Sequence, residues 1–410
     1  MTPQSSTSAS ESFTPLDPHR VAELNRLHSF LRESSEEDRE QKRYGQAAES
    51  PEACLCIPVG YQIDHSHIPQ RILDVDYGCG DPTQYAREGD TVLDLGSGSG
   101  KHCFLMARTV GAQGRVIGID KTPTMLELAR GAVDEVCGAL GYPEPNVEFR
   151  RGHIENLKWS LDKIAGCTNG SLPSDYDALE GLARTLEEEP LVASNSIDLV
   201  VSNCVLNLVA DHKKPALFGE LFRVLNRGGR AVISDIVAEQ DVPQSLKDND
   251  DLWTGCISGA LRRDRFLQAF LDAGFHGVEE LSSFHWQTVD GIHFHSVTLA
   301  AYKGKQGPCW ETYRSAYYTG PFSSVEDDDG HRYERGSAVP VCEKTANLLL
   351  KEPYAGHFLV TDGMIDESEH VPFDCSGKAQ RGSLPEAIAK ELRAKPGLTS
   401  GEACNGPDCC

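Results

Sequence analysis

The chain has 410 residues, of which 39% are hydrophobic and 25% charged, and its formal net charge is −23. That length predicts one large domain with smaller attachments, and the acidic balance argues against nucleic acid and anionic membranes, whose binding needs basic patches. No run reaches the roughly 18 apolar residues of a membrane span and the Ser/Thr/Pro-rich start lacks a signal-peptide core, so a cytoplasmic protein acting on a small molecule is expected.

Residues 1–18 read as a polar, disordered tail. Val21, Leu24, Leu27 and Leu31 recur at helical spacing, and the charged run 33–43 reads as a solvated helix face. Residues 50–82 are loop-like and carry three cysteines. Strands and helices then alternate: strand 91–95 (TVLDL), helix 101–110, strand 115–120 (RVIGID), helix 123–140, strand 147–151, strand 197–202 (IDLVVS), helix 215–225, strand 230–236 and helix 263–273. Strand-like runs at 278–283 and 296–302 close the series. This order predicts an α/β fold, a doubly wound, mostly parallel sheet with helices on both faces. An insertion at about 159–193, with a helix over 176–189, reads as a surface excursion. The expected division is an N-terminal tail and helix over 1–50, the main domain over 51–302, a small C-terminal domain over 303–370 and a flexible cysteine-containing tail over 371–410.

Residues 94–100 (DLGSGSG) join the first strand to its helix. Glycines there admit positive φ and a close ligand, and a dinucleotide site is the first rival reading. The spacing is G-x-G-x-G, with Lys101 where a third dinucleotide glycine would fall. Asp94 precedes the loop, near the place of an amino-acid ammonium. S-adenosylmethionine has an ammonium and a sulfonium and no phosphate, so an acid suits it. The cofactor-binding set is therefore Asp94, Gly96, Ser97, Gly98 and Gly100, with Asp120 for the ribose hydroxyls and the 153–155 segment, through Ile154 and Glu155, for adenine. The ordered set is similar to class I methyltransferases.

Fourteen cysteines are many for a reducing compartment and point to catalysis or to binding of a soft element. Cys79 lies in YGCGDP (77–82), Cys204 in SNCVLNL (202–208) and Cys256 in LWTGCISGAL (252–261), all at loops that should face the cofactor. Taken singly, each fits a small buried residue. Taken together, these words resemble the arsenite methyltransferase family, in which Y-G-C-G-x-P, S-N-C-V-x-N-L and L-W-x-x-C-x-x-G-A-L carry arsenic-binding thiols. The resemblance covers about 77–302, more loosely 303–362. It implies a Rossmann-like class I fold, S-adenosylmethionine as methyl donor and arsenite or another trivalent arsenical as substrate. It also implies Cys204 and Cys256 as arsenic ligands, a movable, redox-active Cys79 as the third thiol, and thioredoxin or glutathione as reductant. The family's N-terminal cysteine corresponds to Cys54 or Cys56, whose C-x-C word departs from the usual pattern. Cys404, Cys409 and Cys410 end the chain, either capturing arsenic or without a role. Cys103, Cys137, Cys167, Cys309, Cys342 and Cys375 carry no readable motif. The alternatives are a methyltransferase for another soft element or a small thiol, and a non-catalytic metalloid-sequestering protein.

Overall fold

The computed structural model describes residues 17–34, 39–49, 64–75, 77–168, 173, 175–364 and 371–375. Cys54, Cys56, Cys404, Cys409 and Cys410 lie outside the described residues. The helices are α1 (Pro18–Ser34), α2 (Arg39–Glu49), α3 (Gln70–Leu73), α4 (Lys101–Val110), α5 (Pro123–Leu140), α6 (Leu161–Thr168), α7 (Tyr176–Glu188), α8 (Lys214–Val224), α9 (Gln244–Lys247), α10 (Asp250–Thr254), α11 (Arg263–Asp272) and α12 (Glu343–Leu349). The strands of the main sheet are β1 (Thr91–Leu95), β2 (Arg115–Asp120), β3 (Val147–Arg151), β4 (Ile197–Asn203), β5 (Leu225–Ala238), β6 (His276–Val289) and β7 (Ile292–Tyr302). Their order is β3-β2-β1-β4-β5-β7-β6. Strands β1 to β5 pair in parallel and β7 runs antiparallel to both neighbours. This is the class I methyltransferase arrangement expected from the sequence.

The alternation of side chains along a strand splits the core into two layers. Val92, Leu199 and Val201 face the layer under α4 and α5. Leu93, Leu95, Ile197 and Val200 face the layer under α8 and α11. Both faces are covered, which is why these strands read as unbroken apolar runs. The strand order reverses between β1 and β4, so their carboxyl ends open a crevice. The glycine loop leaves the first of these ends, and Cys204 follows the second.

Two expectations for the final strands were too short. β6 and β7 extend to a two-residue turn, Asp290-Gly291, in which both residues have positive φ (49° and 79°), as a type I′ hairpin requires. The charged run is not a fully solvated face either. Glu40 is buried, and its Oε1 accepts the Trp253 indole N–H at 2.5 Å. The insertion is more than a surface excursion. Leu161, Ile164, Leu182 and Leu186 of α6 and α7 form a small core with Leu24, Leu27 and Leu31 of α1. Arg20 on α1 binds Glu180 at 2.9 Å and also pairs with Glu187. The insertion is thus the shelf on which the N-terminal helix rests.

After β7 come β8 (Arg314–Tyr318), β9 (Ser324–Glu326), β10 (Arg332–Glu334), β11 (Ala338–Val341) and β12 (Phe358–Val360). They form an antiparallel sheet β11-β8-β12 and a ribbon β10-β9, around a core that includes Tyr318, Tyr333, Val341, Ala346 and Leu349. His276 at the start of β6 stacks on Tyr354 of this unit. Among the described residues no helix is long and apolar enough to cross a membrane.

Candidate active site

A cavity of about 410 Å³ lies at the switch point. Its floor is the glycine loop. Gly96 and Ser97 donate their amides to Ile119 O at 2.8 and 2.9 Å, which folds the loop back over β2. Gly96 has φ +74°, and a Cβ there would lie 2.5 Å from Val205. Gly98 has φ +51°, but a Cβ would meet no protein atom within 4 Å, so its bare backbone faces open space. Asp120, at the end of β2, accepts the Gly98 amide at 2.9 Å and the Thr122 amide at 2.8 Å. Each of its oxygens keeps a lone pair for a further donor.

Gly96, Ser97, Gly98, Asp120, Ile154 and Glu155 all line the cavity; Asp94 and Gly100 do not. Asp94 is buried behind the loop, where it accepts the Cys103 thiol at 3.2 Å. Burial pushes its carboxyl above the ordinary value, against the opposing effects of His102 and Cys103. It supports the loop from beneath and does not form its wall. His153 Nδ1 and Lys213 Nζ approach Glu155 Oε1 at 3.5 and 3.6 Å. Burial alone would raise this carboxyl, but His153 and Lys213 more than offset it and hold it at about 2. The other face of His153 meets Ser34 at 3.2 Å, so α1 closes this side of the cavity.

The three motif cysteines converge from three segments. Cys79 and Cys204 form a disulfide, with Cα atoms 5.8 Å apart. The Cys256 thiol donates to the Cys204 carbonyl at 2.7 Å. Cys204 lines the cavity, whereas Cys79 and Cys256 pack behind it. Cys204 and Cys256 have φ of +59° and +61°, a sparsely populated conformation for residues other than glycine that recurs at functional sites. Cys79 is held at its backbone in this disulfide-bonded arrangement. This residue is fully buried, its amide donates to Asn203 Oδ1 at 2.9 Å, and its carbonyl accepts the Ser296 hydroxyl at 2.6 Å.

Several residues that position the site were not singled out from the sequence. Asn203 also accepts the Gly80 amide at 3.1 Å and donates to the Gly80 carbonyl at 2.7 Å. Asn207 donates to Ile236 O at 2.7 Å and to Cys256 O at 3.1 Å, which ties the Cys256 loop to the Cys204 loop. Gly259 packs so closely on Asn207 that a Cβ would lie 1.9 Å from its carbonyl oxygen. The asparagines stand inside the cysteine words, and a polar amide beside a buried strand end was the available signal. Tyr44 of α2 has no such signal. Its hydroxyl donates to Thr254 O at 3.1 Å and lies 3.8 Å from the Cys256 sulfur.

Comparison with known proteins agrees with this construction. A family described as a methyltransferase domain matches residues 86–274, and a domain of unknown function (DUF8838) matches residues 305–387. The arsenite methyltransferase of Homo sapiens is 30% identical over 82% of this chain and 83% of its own length. That of Mus musculus is 30% identical over 72% and 73%. The crystal structure of an arsenic (III) S-adenosylmethionine methyltransferase from Chlamydomonas reinhardtii is 28% identical, with a TM-score of 0.49, covering 75% of this chain and 96% of that one. With 30% identity to the human and mouse enzymes over most of both chains, and with a glycine loop and three converging cysteines at the switch point of the sheet, the chain belongs to the arsenite methyltransferase family.

Proposed function

We propose that this protein transfers a methyl group from S-adenosylmethionine to trivalent arsenic held by Cys79, Cys204 and Cys256. The observation that carries this reading is the meeting of three cysteines from three separate segments, with Cys204 at the wall of the glycine-loop cavity and Cys79 and Cys256 directly behind it. The cavity suits the methyl donor. Gly98 leaves an open floor, Asp120 offers carboxylate oxygens for ribose hydroxyls, and Met125 and Ile154 supply apolar wall for an adenine. When bound, S-adenosylmethionine supplies a methyl group made electrophilic by its sulfonium.

The chain's own part is mostly placement. Thiolates are soft ligands and take arsenic strongly, by the argument that governs soft metals. Three sulfurs leave arsenic one lone pair, which is the nucleophile, so no strong general base is needed. Fixing such partners in line can lower a barrier by about 7–11 kcal/mol in favourable cases. Asn203 and Ser296 provide that fixity at the Cys79 backbone and Asn207 at the Cys256 backbone, while the Cys204 amide donates to the Ser234 carbonyl.

Methylation on the lone pair leaves arsenic pentavalent. As the Cys79–Cys204 bond forms, two As–S bonds break and their electrons restore trivalent arsenic, which keeps its methyl group and Cys256 and takes hydroxide from water, or a thiolate from the reductant, as its third ligand. That disulfide must then be reduced by exchange, for which thioredoxin or glutathione is the proposed partner. Cys204 is the half of the bond that lines the cavity, so it is the sulfur an incoming thiol would reach. Cys54 or Cys56 is the proposed relay. We place the protein in the cytoplasm, which accords with Cys103, Cys137, Cys256 and Cys342 standing outside any disulfide.

The test is product analysis. Purified protein is incubated with arsenite, S-adenosylmethionine and a thiol reductant, and arsenic species are separated with elemental detection. Methylated arsenic that disappears in Cys204→Ser is expected. Its absence from the wild type, with cofactor binding intact, would send the search to other thiophilic acceptors.

A further inference from the structure

We infer that Cys309, Cys342 and Cys375 form a second site for trivalent arsenic, made of three sulfurs and separate from the cavity. Their Sγ atoms all lie within 4.8 Å of one another. None of the three is in a disulfide; Cys342 is buried and the others half-buried.

The three come from distant parts of the chain, and backbone bonds hold them together. Phe373 N donates to Cys309 O at 2.9 Å, and Glu311 N to Val371 O at 2.7 Å, which lays the 371–375 segment alongside the segment before β8. Glu343 N donates to Trp310 O at 2.8 Å, which brings in the start of α12. Cys342 is the N-cap of that helix, and its sulfur accepts the Thr345 amide at 3.4 Å. His331 Nε2 lies 3.2 Å from the Cys375 carbonyl. The sulfurs are thus presented by a built framework.

The donor set selects the occupant. It is all sulfur, and among the described residues no histidine or carboxylate joins it. Structural zinc takes four protein ligands, whereas trivalent arsenic is satisfied by three thiolates. Arsenic in preference to other three-coordinate soft ions rests on the function proposed above. Binding from arsenous acid balances without redox change. Three As–S bonds form and three As–O bonds break, and each thiol proton leaves with a hydroxide as water. The site lies in the unit that follows the methyltransferase sheet and takes no part in the methyl-transfer step.

The test is arsenite binding to the full-length chain in which every cysteine except Cys309, Cys342 and Cys375 is replaced by serine, under reducing conditions. One arsenic per chain is expected by elemental analysis after gel filtration, with three sulfur neighbours by X-ray absorption. Cys342→Ser and, separately, the less buried Cys375→Ser should each abolish it while circular dichroism and the melting temperature stay within a few degrees. Arsenic retained in both variants, none bound by the three-cysteine chain, one zinc per chain held there in preference, or a Cys309–Cys375 bond that survives reductant would each overturn the proposal. Methylation by the wild type is read separately, so failure of the catalytic assignment is distinguishable from failure of this one.

Discussion

Asn203 fixes Cys79 through the backbone: one amide oxygen accepts both the Cys79 and Gly80 N–H groups, at 2.9 and 3.1 Å. The residue ends β4 and immediately precedes Cys204, so a single side chain sets the distance between the two members of the disulfide. Replacing it leaves two amides without their partner in a buried place. Asn203→Ala is expected to lower stability by about 1–3 kcal/mol, the penalty for such orphaned groups. It should reduce arsenite methylation by roughly tenfold or more, because misplacement of reacting groups is expensive. Affinity for S-adenosylmethionine, measured by calorimetry, should change far less; an equal loss of both would show that Asn203 acts on the cavity as a whole.

The disulfide makes arsenic binding conditional on reduction. Two of the three proposed ligand thiols are bonded to each other, and Cys256 lies outside the disulfide. Protein purified without reductant should bind no arsenite at this site. A thiol reductant should add two hydrogens to the intact mass at Cys79 and Cys204 and restore binding. Binding to the fully oxidised protein that persists in Cys256→Ser would place the arsenic elsewhere.

Two glycines should fail for different reasons. At Gly259 a Cβ would lie 1.9 Å from the Asn207 carbonyl oxygen. Gly259→Ala therefore forces the backbone apart and should destabilise by about 1–3 kcal/mol or more, as overpacking does, with a matching fall in melting temperature. At Gly98 a Cβ meets nothing but has φ +51°. Gly98→Ala should lower stability by about 1–2 kcal/mol, the left-handed penalty for a residue with a Cβ, and weaken S-adenosylmethionine binding by roughly tenfold, because one methyl group in a close contact costs that much.

Asp235 gives a pH signature. Burial raises its carboxyl from 3.8 to about 7, against the Ile236 and Leu206 amides and Lys214. Between those values the folded protein keeps a proton that the unfolded chain has released. The stability it contributes is therefore fully present below 3.8 and is lost as the pH rises to about 7. The difference in urea stability, wild type minus Asp235→Asn, should decline across that window and flatten above it. A flat difference throughout would mean that the carboxylate is ionised in the fold.

The shelf under α1 can be tested far from the chemistry. Leu27 is 1% exposed and sits among Leu161, Ile164 and Leu182. Leu27→Ala should cost about 2–5 kcal/mol locally, as deletion of buried aliphatic groups does. If α1 closes the cavity through Ser34 and His153, cofactor affinity falls along with protease resistance of the N-terminal segment. Unchanged affinity would reduce the insertion to a structural support.

The sequence by itself determined the parts whose cause is local. Thr91–Leu95, Arg115–Asp120 and Ile197–Asn203 read as buried parallel strands because both their faces are apolar. The glycine loop and Asp120 were legible because a positive φ and a strand-end acid are properties of the residues themselves. The hairpin at Asp290-Gly291 was equally local; its turn chemistry was available in the sequence and marks where the strands reach. Only the tertiary structure decided what depends on distant segments meeting. Asp94 turned out to brace the loop from behind, because α4 places the Cys103 thiol against it. Cys79 turned out to be pinned, because Asn203 and Ser296 reach it from 124 and 217 residues away. Glu40 left the solvent for the indole of Trp253. Cys309, Cys342 and Cys375 have no motif because no short segment contains two of them; backbone hydrogen bonds between remote strands and loops, which a linear pattern does not record, bring their sulfurs together.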